Sequence, residues 1–336
     1  MNLFSIPEVQ FALEAVRQAS LLVRQVQVEM VSPALTKDDR SPVTVADFAS
    51  QALIGRMLGE AFPNDPLVGE EDSAALRAPS ESATLAQVTH FVARLAKEAT
   101  PSAVCAWIDR GCASPARRFW TLDPIDGTKG FLRGDQYAVA LALIEDGQVQ
   151  VGALGCPNLK DGFLPDFSEL LFRNGCGSLA VAVRGGGAWV TSLEGTDSFT
   201  RLCVSTQLDA ARARILRSFE SGHTNISQID LFAQALGVQA KAVRMDSQAK
   251  YAVLAAGQGE LYLRLLSPNQ PNYREKIWDQ AAGALIIEEA GGCVTDLDGK
   301  PLDFTAGREL SHNRGILASN RHLHPAALQT LRHIGT

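Results

Sequence analysis

The chain has 336 residues, 46% of them hydrophobic, and carries 31 Lys and Arg against 37 Asp and Glu, a formal net charge of −6. That is enough length and apolar content for two domains or one large layered one, and no block of basic residues marks a duplex nucleic acid or an anionic membrane surface as a partner. No apolar run reaches spanning length and the start, MNLFSIPEVQFALEAVRQAS, lacks a basic stretch followed by an apolar one, so the expectation is a soluble, cytoplasmic protein.

After Pro7, apolar residues at Ala12, Val16, Ala19, Val23 and Val26 step by four and three, the stripe of an amphipathic helix. In SPVTVADFASQALIGRMLGEAF, Ser41-Pro42 breaks the chain, Thr44 can cap, and Val45, Phe48, Ala49, Ala52 and Leu53 form the apolar face of a second helix. Asp47 then falls in the first turn, where the helix dipole alone favours an acid. Leu67-Val68 reads as a short strand ending at Gly69, followed by Glu70, Glu71 and Asp72. Three successive acids fit a solvated loop or a cation site. A helix is expected near Leu85 to Leu95.

The apolar run Phe119, Trp120, Leu122 predicts a buried strand that delivers Asp123 and Asp126 into a loop closed by Gly127 and Thr128. Pro124 stiffens the loop, and Gly127 lets backbone N–H groups approach an anion. The segment DPIDGT can therefore supply carboxylates, the Ile125 carbonyl and the Thr128 hydroxyl to Mg²⁺ and a phosphate; a plain turn after a strand has the same letters. The two acids stand one residue further apart than in the DxDGT loop of aspartyl-phosphate enzymes, so no phosphoenzyme is expected.

YAVALALIEDGQVQVGALG reads as a hairpin turning at Asp146-Gly147, and LAVAVRGGGAWV as a strand pair broken by Gly185 to Gly187. A second half begins near residue 200, giving expected domains 1–200 and 201–336. It holds a strand in ARILRSFE, a loop with His223, and a helix over roughly Ser227 to Leu236. VRMDSQAKYAVLAAGQGELYLRLL runs strand, turn, helix and strand, placing Ser247 at a helix start, Lys250 one turn in and Arg264 on the returning strand. Hydroxyl, ammonium and guanidinium together suit a phosphate; a cap and two solvated bases are the plainer alternative. EKIWDQAAGALIIEEAGG predicts a helix with Asp279 in its first turn, CVTDLDGKPLDF a hairpin around Asp298-Gly299, and RGILASN a strand before a terminal helix. The six cysteines are scattered without a CxxC pair or zinc-like spacing and are expected to be reduced and mostly buried.

Four segments in this order, SPVTVAD (41–47), VGEED (68–72), DPIDGT (123–128) and WDQAAGALIIEEAGG (278–292), resemble the lithium-sensitive, magnesium-dependent phosphatases that include inositol monophosphatase and fructose-1,6-bisphosphatase. The longer phrases DPIDGTKGFLRG, GCPNL, DSQAKYAVLA, YLRL and EKIWDQAAG are similar to the 3′(2′),5′-bisphosphate nucleotidase family of fungal and plant type. The resemblance implies an α/β fold of the layered α+β sandwich kind, with largely antiparallel sheets between helix layers. It implies an enzyme that takes the 3′-phosphate from adenosine 3′,5′-bisphosphate to leave AMP, with 3′-phosphoadenosine 5′-phosphosulfate as a further substrate; separately from the resemblance, a monomer is expected. Carried over, Glu70, Asp123, Asp126, Asp279 and the Ile125 carbonyl would hold two or three Mg²⁺ ions, and Asp47 with Thr128 would take a proton from the attacking water. Gly127, Thr128, His223, Ser247, Lys250, Arg264 and Asp279 would meet the nucleotide. Gln280 stands where related sequences often have His, and the loops GCASPARR and SPNQPN also depart from the pattern. An inositol phosphate phosphatase is the alternative within the same chemistry, and a catalytically silent nucleotide or metal sensor the alternative outside it.

Overall fold

The computed structural model describes residues 3–30, 41–159, 177–195, 198–219, 226–267 and 270–336. In the first half, helices α1 (Pro7–Met30) and α2 (Ser41–Ala61) precede strand β1 (Leu67–Gly69), helices α3 (Ser82–Ala93) and α4 (Pro101–Asp109), and strand β2 (Arg118–Asp126). Then come the short helix α5 (Thr128–Arg133) and strands β3 (Ala138–Glu145), β4 (Gln148–Cys156), β5 (Ser178–Val183), β6 (Gly187–Ser192) and β7 (Thr200–Arg201). In the second half follow β8 (Ile215–Arg217), α6 (Ile226–Leu236), β9 (Val243–Arg244), α7 (Ala249–Ala255), β10 (Leu261–Arg264), α8 (Ala281–Glu289), β11 (Cys293–Thr295), β12 (Ile316–Ser319) and α9 (His324–Ile334).

The strands make two sheets. The first has seven in sequence order, antiparallel apart from the parallel β1–β2 pair. The second has five, ordered β11-β12-β10-β8-β9, with parallel and antiparallel pairs mixed. Side-chain alternation along the strands decides the layers. On β3, Val139, Leu141 and Leu143 pack with α1 and α2, whereas Ala138, Ala140, Ala142 and Ile144 join a core with Tyr251 of α7 and Ile286 of α8. That core also takes Tyr262 and Ile316 of the second sheet, so α7 and α8 lie between the two sheets. The other face of the second sheet, with Ile215, Leu263 and Leu317, buries against Phe232 of α6 and Leu331 of α9. The order is helices, sheet, helices, sheet, helices, the layered α/β architecture expected from the sequence. Strands buried on both faces explain why β3 and β4 read as nearly continuous apolar runs.

Several local expectations change. β2 does not stop at Leu122 but runs through Asp126, with a break in its register against β3 between Asp123 and Asp126. The bulge re-aims the second acid without ending the strand. α2 begins at Ser41, ahead of Thr44, because the missing N–H of Pro42 costs nothing in a first turn; Asp47 therefore lies in the second turn. Asp279 precedes α8 instead of opening it. β11 pairs with β12, not with the segment after Asp298-Gly299, where only the turn forms. The Asp146-Gly147 hairpin is as expected, with φ of 51° and 74° at its two turn residues. Of the five described cysteines only Cys105 and Cys156 are buried, and all five are free thiols. No helix among the described residues is long and apolar enough to cross a membrane.

Candidate active site

Four elements that are far apart in sequence bring their acids together. Glu70 directly follows β1, β2 carries Asp123 and Asp126, the turn before α8 carries Asp279, and α2 contributes Asp47. Asp123 is 2% exposed, and its carboxyl is driven well above the ordinary range, first by burial and then by Glu70, Asp126, Asp279 and Asp47. Asp279 and Asp47 are raised in the same way, again with burial first; the acids acting on Asp47 are Glu71 and Glu70. Glu70 meets solvent on one side, yet burial on its others and the charge of Glu71 push it up to about 7, and it lies within hydrogen-bonding reach of Asp123.

Such a group of carboxyls keeps protons or binds cations, because bare charges this close repel in a poorly solvated setting. One oxygen fits the second alternative: Asp123 Oδ1 is buried without a hydrogen-bond partner. An orphaned hard oxygen among further carboxylates is the donor chemistry Mg²⁺ takes. Among the described residues no three such side chains are already closed into a metal cage.

The scaffold around the acids is specific. Gln51, one turn beyond Asp47 and fully buried, accepts from the Glu71 N–H at 3.1 Å and donates to the carbonyls of Glu71 at 2.5 Å and Ile108 at 2.9 Å. A Cβ on Gly69 or Gly111 would come within 2.6 or 2.3 Å of the Gln51 amide, so both glycines make room for it. Ser50 Oγ donates to the Pro124 carbonyl at 3.1 Å, tying α2 to the loop between the β2 acids. Asp126 Oδ2 accepts from the Gln248 N–H at 2.6 Å, which fixes β2 to the start of α7.

The basic side of the site is built on α7 and β10. Gly127 and Ser247 sit face to face in left-handed backbone, φ 90° and 67°. Ser247 Oγ accepts from the Ala249 N–H at 3.1 Å and so acts as a cap two residues before the helix. Lys250 is 2% exposed and donates to Ser218 Oγ and the Met245 carbonyl, each at 3.2 Å; burial lowers its ammonium to about 8. Arg264 Nε donates to Glu275 Oε1 at 2.9 Å, and Glu275 is 3% exposed. Glu275 Oε2 accepts from Gln280 Nε2 at 2.9 Å, and Gln280 Oε1 in turn accepts from the Tyr251 hydroxyl. Tyr251→Phe should leave the buried Gln280 oxygen unsatisfied and lower stability by about 1–3 kcal/mol, read by denaturant unfolding.

Of the residues singled out in the sequence, Glu70, Asp123, Asp126, Asp279 and Asp47 act on one another electrically, and Ser247, Lys250 and Arg264 flank them. Ile125 is buried between the two β2 acids. Thr128 opens α5, exposed; no hydrogen bond joins it to Asp47 among the described residues. His223 lies outside the described residues. Gln51 and Glu275 escaped sequence reading, whereas Glu71 stood out there only as one of three successive acids. The i,i+4 spacing of Asp47 and Gln51 and the place of Glu275 within EKIWDQ were the available signals. A cavity of about 850 Å³ lies elsewhere, lined by Phe4, Arg17, Trp189 and Phe199 and by none of these acids.

Solved structures share this fold. Thermotoga maritima IMPase superposes with a TM-score of 0.64 at 18% identity, covering 98% of each chain. Mycobacterium tuberculosis SuhB superposes with a TM-score of 0.61 at 22% identity, covering 96% of this chain and 95% of its own. The inositol monophosphatase family profile matches residues 7–336, and the chain belongs to that family: it is a phosphatase. Among its curated relatives, a protein of Schizosaccharomyces pombe is 43% identical over 332 residues, covering 93% of this chain and 91% of its own. One of Oryza sativa is 41% identical over 338 residues, covering 97% and 93%. Both relatives are named 3′(2′),5′-bisphosphate nucleotidase.

Proposed function

We propose that the chain is a magnesium-dependent phosphomonoesterase that hydrolyses the 3′-phosphate of adenosine 3′,5′-bisphosphate to AMP and phosphate, and also acts on 3′-phosphoadenosine 5′-phosphosulfate. The observation that carries the reading is the cluster of mutually raised carboxyls beside Lys250 and Arg264, in a chain whose curated relatives carry the nucleotidase name. Glu70, Asp123, Asp126, Asp279 and the Ile125 carbonyl would hold the Mg²⁺ ions. When bound, the ions supply Lewis-acid neutralisation of the phosphate and a lower pKa for water.

The protein's own groups do the rest. Asp47, which burial and the charges of Glu71 and Glu70 hold above the usual carboxylate range, would take the proton of the attacking water together with the Thr128 hydroxyl. Water adds to phosphorus as the bond to the ribose 3′-oxygen breaks, and the departing 3′-oxygen takes up a proton from solvent water. Lys250 and Arg264 would hold the retained 5′-phosphate, with Ser247 and His223 completing the nucleotide contacts. Glu275 keeps the Arg264 guanidinium in one orientation, so the phosphate meets a pre-set donor instead of a mobile one.

Phosphate release from adenosine 3′,5′-bisphosphate, inositol 1-phosphate and inositol 1,4-bisphosphate, each with Mg²⁺ and with chelator, tests this. The expected order puts the nucleotide first, with no release in chelator. Faster release from either inositol phosphate replaces the substrate assignment, and release unaffected by chelator removes the magnesium.

A further inference from the structure

Phe219 is 45% exposed and is the aromatic member among the large apolar side chains that the described residues leave in solvent. A single exposed ring is ordinary on a protein surface, but this one is fixed and placed. The Arg133 guanidinium lies over it, 5.6 Å from the ring centroid. Arg133 is itself held by Asp135 Oδ2 at 3.0 Å and by the buried carboxylate of Asp246. The same Asp246 accepts the backbone N–H of Phe219 through Oδ1 at 3.3 Å, so one buried acid orients both partners of the stack. The neighbour on one side in sequence, Ser218, accepts from Lys250 Nζ, and Asp246 immediately precedes Ser247. The ring therefore stands one residue from a contact of the phosphate-holding ammonium.

We propose that the Phe219–Arg133 stack is the ledge on which the substrate's nucleobase rests, and that it separates nucleotides from phosphorylated polyols at this site. The inference deepens the proposed function and rests on it. An aromatic face with a cation on one side offers a planar heterocycle both stacking area and an oriented charge, whereas a cyclitol or a bare sugar has no π-face to present. Because the phosphate contacts are made by other residues, the ledge should act on KM and leave the chemical step alone.

The test compares native enzyme, Phe219→Ala and Phe219→Tyr on adenosine 3′,5′-bisphosphate and on the base-free ribose 3,5-bisphosphate. Phe219→Ala is expected to reduce the preference for nucleotide over base-free substrate, as kcat/KM, by roughly 5- to 100-fold through KM, the worth of one base–aromatic stack. Phe219→Tyr restores the preference. An equal loss on both substrates, or a preference that Phe219→Ala does not move, overturns the ledge while the nucleotidase reading stands. Native enzyme inactive on the nucleotide but active on inositol phosphates overturns both, and that result is visible before any variant is made.

Discussion

Asp123→Asn is expected to lower phosphate release by on the order of 10²–10³-fold and, in the absence of divalent cations, to make the protein more stable. Both effects come from the same buried carboxyl. Its Oδ1 has no hydrogen-bond partner, and Glu70, Asp126, Asp279 and Asp47 all oppose its ionisation after burial has done so first. Asparagine keeps the shape and removes the charge, so the repulsion falls while the cation-binding oxygen weakens. The sign of the pH dependence follows. A carboxyl with a folded-state pKa above its unfolded value contributes stability that is present below the unfolded pKa and is lost as pH rises toward the folded one. For Glu70 that window runs from its ordinary value of 4.5 to about 7, and for Asp123 it opens at 3.8. With chelator present, the native protein should therefore melt at a lower temperature at pH 8 than at pH 5, with a shallower slope in Asp123→Asn. Added Mg²⁺ should raise the melting temperature of the native protein more than that of the variant. Undiminished turnover in Asp123→Asn, or equal Mg²⁺ stabilisation of the two proteins, removes Asp123 from the ion site.

Gly127→Ala should cost stability and turnover together. At φ 90° an alanine loses about 1–2 kcal/mol to backbone strain alone, and its Cβ would lie 2.8 Å from Ser247 Cβ and 3.2 Å from the Gln136 carbonyl oxygen. Overpacking at such a contact adds about 1–3 kcal/mol. The clash falls on the turn that aims Ser247 and, through the Gln248 N–H, steadies Asp126, so a displacement there should lower kcat/KM by about 10²-fold. Gly134→Ala is the matched comparison, since φ is 70° and nothing lies within 4 Å of the added methyl. It should show the backbone loss in thermal unfolding while kcat/KM stays within a few-fold of native. Equal kinetic losses in the two variants would attribute the effect to the backbone of this segment and not to the Gly127–Ser247 contact.

The parts of this protein legible in its sequence are those encoded within one turn or one strand. The two-faced apolar runs of β3 and β4, the Asp146-Gly147 hairpin, the stripe of α1 and the order of elements around DPIDGT all follow from local periodicity and turn chemistry. What escaped depends on residues far apart in the chain. The bulge between Asp123 and Asp126 is set by pairing with β3, and β11 finds β12 across a long connection that sequence reads as a simple hairpin. Gln51 owes its role to the backbone of Glu71 and Ile108, and Glu275 owes its own to Arg264 and Gln280. An isolated Gln or Glu carries no sign of such a contact. Asp47 shows the converse: its residue type was noticed, but the helix begins a turn earlier than Thr44 suggested, so its setting is the acidic loop and not the helix dipole.

The placement of α7 and α8 between the two sheets constrains how molecules enter and leave. Both helices are buried on two sides, so swinging one half of the chain away from the other would strip apolar surface that each sheet shares with them. A turnover cycle built on clamshell opening would have to expose that surface every time. Exchange of ligand with solvent is left to the rim of the site, and differences in the compounds accepted by members of this architecture should be sought in segments that border it while the interior stays constant.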